Sequence, residues 1–326
     1  MIMKQRILGL DLLRVVAMLL VIIDHTIVVG LDAGNVICRY LVTGNGVLFF
    51  MISGALLLPV EGNGSSFLLK RFKRVLMPFV TWSITYLLLA FHFDNWTLGK
   101  LWQEFYSLPL KPSFGAAWFM YILIGLYLIA PIISVWLRNS SRRWVEYFLV
   151  LWGLATMIPY ASFFVEFPQD IHDTMLSPFV GYMGYMILGY YLWQYPLKKE
   201  SSRYQAITWA ILLLLAVALP IRLYFFTEKY GLTYMLYDDQ HINIVAFVAI
   251  IFILVSKIKQ MPHVMESVVC KVAKLSYGIY LCHMAVFQYV MLPQFGYGWV
   301  AFVATLIVST LIIYLLSLTP MKRYVC

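Results

Sequence analysis

The chain has 326 residues, 62% hydrophobic and 12% charged, whereas soluble domains average about 45–50% apolar and about 25% charged. With a mean hydropathy of +0.82, charge is too sparse to coat a water-soluble globule of this size, which excludes a soluble enzyme, a disordered chain and a nucleic-acid binder. The net charge of +9 matters through its placement along the chain, and the composition is that of an all-α, polytopic integral membrane protein.

A helix needs about 20 mostly apolar residues to cross the hydrocarbon. That rule predicts ten spans, over 8–29, 43–60, 75–92, 116–136, 144–164, 175–195, 204–222, 241–257, 273–292 and 298–318. The connections are too short to hold a second domain, so residues 1–326 read as one transmembrane domain. With both termini cytoplasmic, 18 of the 24 Lys and Arg fall on the inner side, among them Lys4, Arg6, Lys70, Arg71, Lys73, Arg74, Arg142 and Lys198. Only Arg39, Lys100, Lys111, Arg222 and Lys229 fall outside, with Arg14 inside the first span. A miscount by one helix would scramble this asymmetry, which follows the positive-inside rule. The outer loops gather acids such as Asp94, Glu104 and Glu166, and aromatics such as Trp96, Trp102 and Tyr230 that suit an interfacial belt. The first apolar run follows basic residues as a signal peptide would. It carries Asp11, Arg14, Asp24 and His25 and lacks a small-residue cleavage site, so it is expected to be a retained helix.

An ionisable group at mid-bilayer costs about 2.5–3.5 kcal/mol, so each one inside a span asks for a reason. On the first helix Asp11 and Arg14 stand three apart and can pair on one face. Arg14 and His25 stand eleven apart, about three turns, so both project from the same side, roughly 16 Å apart along the axis. Arg14 could snorkel to the inner headgroups with Asp11 as partner, or serve function; His25 could glue the bundle or do chemistry, and the shared stripe favours chemistry. Asp24 points about 100° away from His25, so a partner for the ring is expected from another helix.

Gly44-Asn45-Gly46-Val47-Leu48-Phe49-Phe50-Met51-Ile52-Ser53-Gly54 allows close helix approach. The basic run Lys70 to Arg74 ahead of Pro78 reads as an orientation signal and lipid contact, or as a clamp for an anionic group. Trp118 and Tyr121 open the fourth span. Ser276, Tyr277, Tyr280, Cys282 and His283 lie on the ninth, where His283 alone on an apolar helix has packing as its simplest role. His92, His172, His241 and His263 fall in loops or at helix ends. Cys38, Cys270, Cys282 and Cys326 have no CxxC spacing and read as small hydrophobes. No metal, nucleotide-hydrolysis or dinucleotide motif is present, and no metal is expected.

Together these segments resemble the membrane-bound acyltransferase-3 family, in particular the branch of bacterial surface-polysaccharide O-acetyltransferases. The anchors stand in the family's order over essentially the whole chain: Asp11, Arg14 and His25; Phe49-Phe50-Met51-Ile52-Ser53-Gly54; Arg71-x-x-Arg74 before Pro78; Trp118-Phe119 with Tyr127 and Pro131; Ser276-Tyr277 with Tyr280 and His283. The chain departs from the pattern at Val47, where members often have proline, and at Ala116-Ala117, where a histidine often precedes the Trp-Phe pair. The resemblance implies a multi-pass protein of the bacterial inner membrane. It implies transfer of an acyl group, most simply acetyl, from cytoplasmic acyl-CoA to a hydroxyl of a surface glycan or lipid-linked sugar. By that analogy His25 is catalytic, with Asp24 and Asp11 beside it. Arg14, Arg71, Arg74 and Ser53 serve acetyl-CoA, and Trp118, Tyr121, Tyr277 and His283 serve the acceptor. Membrane lipids are expected partners, nucleic acid is not, and a homo-oligomer is left open.

The chemistry suits these residue types. A thioester is already activated, so its transfer to a hydroxyl needs a base, oxyanion donors and exclusion of water. A neutral imidazole can be the base or can itself be acylated. The competing class is a transporter or flippase for a lipid-linked sugar or small polar substrate. Such proteins frequently carry inverted repeats, and no repeat is visible here.

Overall fold

In apolar surroundings every backbone N–H and C=O must find a partner within the chain, which leaves helices as the natural answer to these sequences. The computed structural model describes residues 6–27, 42, 44–158, 174–230 and 240–326, and for 218–230 the backbone alone. Cys38, Arg39, Glu166 and His172, with the other residues of 28–41, 159–173 and 231–239, lie outside the described residues. Among the described residues no strand occurs.

In chain order the helices are α1 (Leu8–Thr26), α2 (Val47–Leu57), α3 (Gly64–Arg71), a π-helical turn (Phe72–Leu76), α4 (Met77–Phe93), α5 (Leu98–Ser107), α6 (Trp118–Asn139) and α7 (Arg142–Ala155). There follow α8 (Met183–Gln194), α9 (Ser202–Tyr230), α10 (Ile242–Val255), α11 (His263–Val286), a second π turn (Phe287–Met291), α12 (Leu292–Phe295), α13 (Trp299–Ser317) and α14 (Lys322–Val325). Caps mark the starts that sequence chemistry supplies. Asn63 accepts the Ser65 amide at 2.9 Å ahead of α3, and Thr97 accepts the Lys100 amide at 3.2 Å ahead of α5.

Four continuous helical stretches among the described residues are long and apolar enough to cross a membrane: Gly64–Phe93, Gly115–Asn139, His263–Phe295 and Trp299–Ser317. α1 has 19 residues but carries Asp11, Arg14 and Asp24. Three expected spans shrink. The 43–60 span is a helix only over Val47–Leu57, the 175–195 span over Met183–Gln194, and the 241–257 span over Ile242–Val255. Eleven residues of α-helix rise only about 16 Å. The cause in the first case is local: Gly44 has φ +73° before the helix, and Pro59 disfavours helical backbone at Leu58.

Both π turns end two residues before a proline, Pro78 and Pro293. A proline ring in a regular helix collides with the carbonyl four residues back. The wider π turn carries that carbonyl aside, so Pro78 and Pro293 explain why the two irregular turns sit where they do.

The chain forms two compact units: Met1–Val42, Gly62–Ile129 and Gln260–Cys326 in one, Thr43–Glu61 and Ala130–Lys259 in the other. In the first, α1 lies along α11, and α11 along α13. α14 docks against α4, where the Trp82 indole donates to the Val325 carbonyl at 3.3 Å. In the second, α2 and α8 pack so closely that a Cβ on Gly54 would stand 1.8 Å from the Met186 carbonyl oxygen, and one on Gly189 2.0 Å from that of Met51. Backbones approach this way only where side chains are absent. Arg142, at the start of α7, bonds Glu146 at 2.8 Å, Glu200 at 2.7 Å and the Tyr191 hydroxyl at 3.0 Å, and the Glu200 carboxylate raises its pKa.

Candidate active site

Within the first unit, α1 presents its polar stripe to neighbouring helices. Asp11 is 4% exposed. Its carboxylate accepts from Arg14 at 3.0 Å and lies 3.5 Å from Arg6, so the pairing expected three residues apart on one face is present. Arg6 in turn donates to the Cys270 carbonyl at 2.9 Å. Arg14, Arg71 and Arg74 fall within electrostatic reach of one another. Tyr127 lies within reach of Arg14 and Arg71, and its ring meets Phe67 edge-on. The Arg71 guanidinium sits 5.5 Å above the Phe67 ring, and its Nε is buried without a hydrogen-bond partner. A small cleft of about 20 Å³ opens beside it, lined by Leu68, Phe72, Val75, Ile124, Tyr127 and Leu128. The three cations, of which Arg14 is paired with a carboxylate, repel each other, and an arriving anion would relieve that repulsion.

Towards the far end of α1, the half-buried His25 meets a second imidazole. The His25 and His283 rings stand 5.5 Å apart between centroids, tilted by 35°. A partner for His25 from another helix was expected, and His283 of α11 fills that position. For His283, alone on its apolar helix, packing was the simplest role and the acceptor side the one the resemblance implied; the packing of α11 on α1 places it beside His25. The His283 side chain is fully buried, and its Nδ1 lies 2.5 Å from the Tyr280 carbonyl oxygen. A carbonyl only accepts, so Nδ1 carries the proton in the uncharged ring, and Nε2 keeps its lone pair. That Nε2 is buried and has no hydrogen-bond partner.

Three aromatic residues hold His283 in place. Tyr280 packs its ring 5.7 Å from the imidazole, and its hydroxyl donates to the Ala116 carbonyl. Phe119 packs 5.5 Å from Tyr280. The buried Tyr86 hydroxyl donates to the Leu281 carbonyl at 2.9 Å and accepts the Ala285 amide at 2.8 Å. Those two groups face each other across one helical turn, so the Tyr86 hydroxyl clamps the turn of α11 that holds His283. The close end of α1 is tied too, as the Gly298 amide donates to the Thr26 carbonyl at 2.8 Å. Gly298 has φ +142°, which a side chain would strain.

The remaining predicted residues are placed elsewhere. Tyr277 donates its hydroxyl to the Val75 carbonyl at 2.7 Å, joining α11 to the first π turn. The Tyr121 hydroxyl faces the carbonyls of Leu108 and Lys111, tethering that loop. Trp118 packs on Phe119. Asp24 is half-buried on α1, and Ser53 lies half-buried on α2 in the second unit. Tyr86 was missed in the sequence; Tyr280 was named there as a motif residue without a role, three before His283 and so a same-face neighbour. Among the described residues no group of three or more His, Cys, Asp or Glu is arranged to hold a metal.

The comparisons with known proteins bear on the whole chain. The family model for the acyltransferase-3 type of acyltransferase domain matches residues 7–318. No curated protein and no solved structure matches the chain. The domain match takes in α1 with its polar stripe, the Arg71 and Arg74 cluster and the α11 histidine, and the protein belongs to the acyltransferase-3 family as a membrane-associated acyltransferase.

Proposed function

We propose that the protein is an O-acyltransferase, most simply an O-acetyltransferase of the bacterial inner membrane. It takes an acyl group from cytoplasmic acyl-CoA and delivers it to a hydroxyl of a surface glycan or lipid-linked sugar. The observation that carries the reading is the imidazole pair, His25 and His283, in which His25 stands on the helix that also bears Arg14 about three turns away. A base or nucleophile in a region shielded from water is what acyl transfer to an alcohol demands, because water would otherwise consume the thioester. The cluster of Arg14, Arg71 and Arg74 supports an anionic donor, and the phosphates of CoA are the groups guanidinium recognises best. On this reading Asp11 holds Arg14 rather than reacting, and Trp118, Tyr121 and Tyr277 shape the surroundings.

The test is acyl transfer from labelled acetyl-CoA in membranes containing the native glycans. His25→Asn inserts normally and loses about 10²–10⁴-fold in rate; retention of most activity removes this histidine from the mechanism. Arg71→Ala with Arg74→Ala raises the KM for acyl-CoA about tenfold or more with little change in kcat, because charge-assisted contacts to phosphate are lost. A change in protein abundance alone would return those two residues to the role of orientation signals. The acceptor is identified by finding which glycan loses its ester when the gene is deleted.

A further inference from the structure

We infer that His283 is the general base for the incoming hydroxyl, which leaves His25 to carry the acyl group; this rests on the acyl-transfer reading above. Four observations converge on it. The Nδ1 of His283 is committed to the Tyr280 carbonyl, so the ring's available nitrogen is an unprotonated acceptor. That nitrogen is buried and has no hydrogen-bond partner, a costly state that an incoming donor corrects. The ring cannot turn away, because Tyr280 and Tyr86 fix the helical turn that bears it. Finally, the His25 ring is 5.5 Å distant between centroids, near enough for one hydroxyl group to touch both imidazoles. An alcohol has one proton to donate, and the bare acceptor is the nitrogen ready to receive it.

The division of labour balances in two steps. A lone pair of His25 attacks the thioester carbonyl, the C–S bond breaks and CoA departs as thiolate, leaving an acyl-imidazolium. The alcohol oxygen then attacks that acyl carbon while its proton passes to His283 Nε2. The C–N bond breaks, its electron pair returns to His25, and the proton held by His283 neutralises the thiolate through exchange with water. The sum is ester and free thiol. While acylated, His25 has no nitrogen free to act as base, so a second base is needed at this step.

Water serves as a minimal alcohol, and hydroxylamine as a nucleophile that needs no base. The purified full-length protein in detergent takes label from acetyl-CoA without glycan, and loss of label is followed in water and in hydroxylamine by rapid quench. His283→Asn keeps an amide donor for the Tyr280 carbonyl, and His283→Gln keeps a polar atom near the Nε2 position. Both are expected to be labelled as the wild type is and to be discharged by hydroxylamine at the wild-type rate. Discharge to water slows about 10²-fold or more. The wild type itself shows a solvent deuterium isotope effect on discharge to water and none on labelling. Discharge of the variants to water at the wild-type rate overturns the inference, as does absence of that isotope effect. Loss of labelling in variants that remain monodisperse also overturns it, since the role would then be structural. A wild type that transfers to alcohols without passing label through His25 overturns it while leaving the acyltransferase reading intact. A wild type that releases no thiol from acetyl-CoA in glycan-bearing membranes brings down that reading itself.

Discussion

A histidine in an apolar bundle is conspicuous in a sequence, because surroundings that offer no water make every polar nitrogen expensive. His25 and Arg14 were legible for that reason, as was the Asp11 partner three residues before Arg14. The neighbour of His25 was not. His283 lies on α11, far along the chain, and only the packing of α11 on α1 brings the rings together. Tyr86 was hidden more deeply, since a tyrosine in an apolar run looks like any core aromatic until its hydroxyl is seen between Leu281 and Ala285. Removing that hydroxyl takes a hydrogen-bond partner from a buried carbonyl and a buried amide, at a cost of about 1–3 kcal/mol. Tyr86→Phe is therefore expected to lower the Tm in detergent by a few degrees and to reduce kcat with the KM for acyl-CoA unchanged. An unchanged kcat would mean that the Tyr86 clamp has no bearing on His283.

The elements show where hydropathy periodicity succeeds and where it fails. The 298–318 span was read to within a residue, as Trp299–Ser317, because glycine at 298 starts it and the apolar run is unbroken. The run at 43–60 is just as apolar, yet its helix covers only Val47–Leu57, since hydropathy is blind to backbone angles at Gly44 and to the constraint of Pro59. The π turns were equally invisible, although the prolines that follow them were in plain view. An extra residue in one turn rotates everything before it by about 100° relative to everything after. The first π turn carries Lys73 and Arg74 and follows Arg71, so it sets the direction in which the basic residues face relative to α4. Pro78→Ala permits a regular helix, and the predicted outcome is a severalfold rise in the KM for acyl-CoA at unchanged kcat. Steady-state kinetics at saturating acceptor decide this, and an unaltered KM would detach the π turn from donor binding.

For the molecule as a whole, exposed side chains carry the message. Leu214 is 73% exposed, Trp144 61% and Val303 48%. In the window of greatest hydropathy in Trp299–Ser317 only 22% is buried within the protein. Such surfaces are stable against lipid tails and unstable against water. Composition alone foretold this environment. Charge asymmetry predicts more, an orientation with Lys70 to Arg74 inside and the α5 region outside. In a chain whose native cysteines are replaced, Ser65→Cys is expected to react with a membrane-impermeant maleimide only after the inner face is opened. Ser107→Cys should react in intact cells. Labelling of both from one side would overturn the orientation.

The Gly298 amide on the Thr26 carbonyl has a consequence for how this protein can vary. The fastening beside His25 is made by main chain on both sides, so it presents no side chain for point substitution to lengthen, shorten or recharge. Adjustment of the His25 end of that helix is left to insertions and deletions in the turn around Gly296 and Gly298. Chain length there, rather than amino-acid identity, is the variable through which descendants or designers could retune the reach of His25.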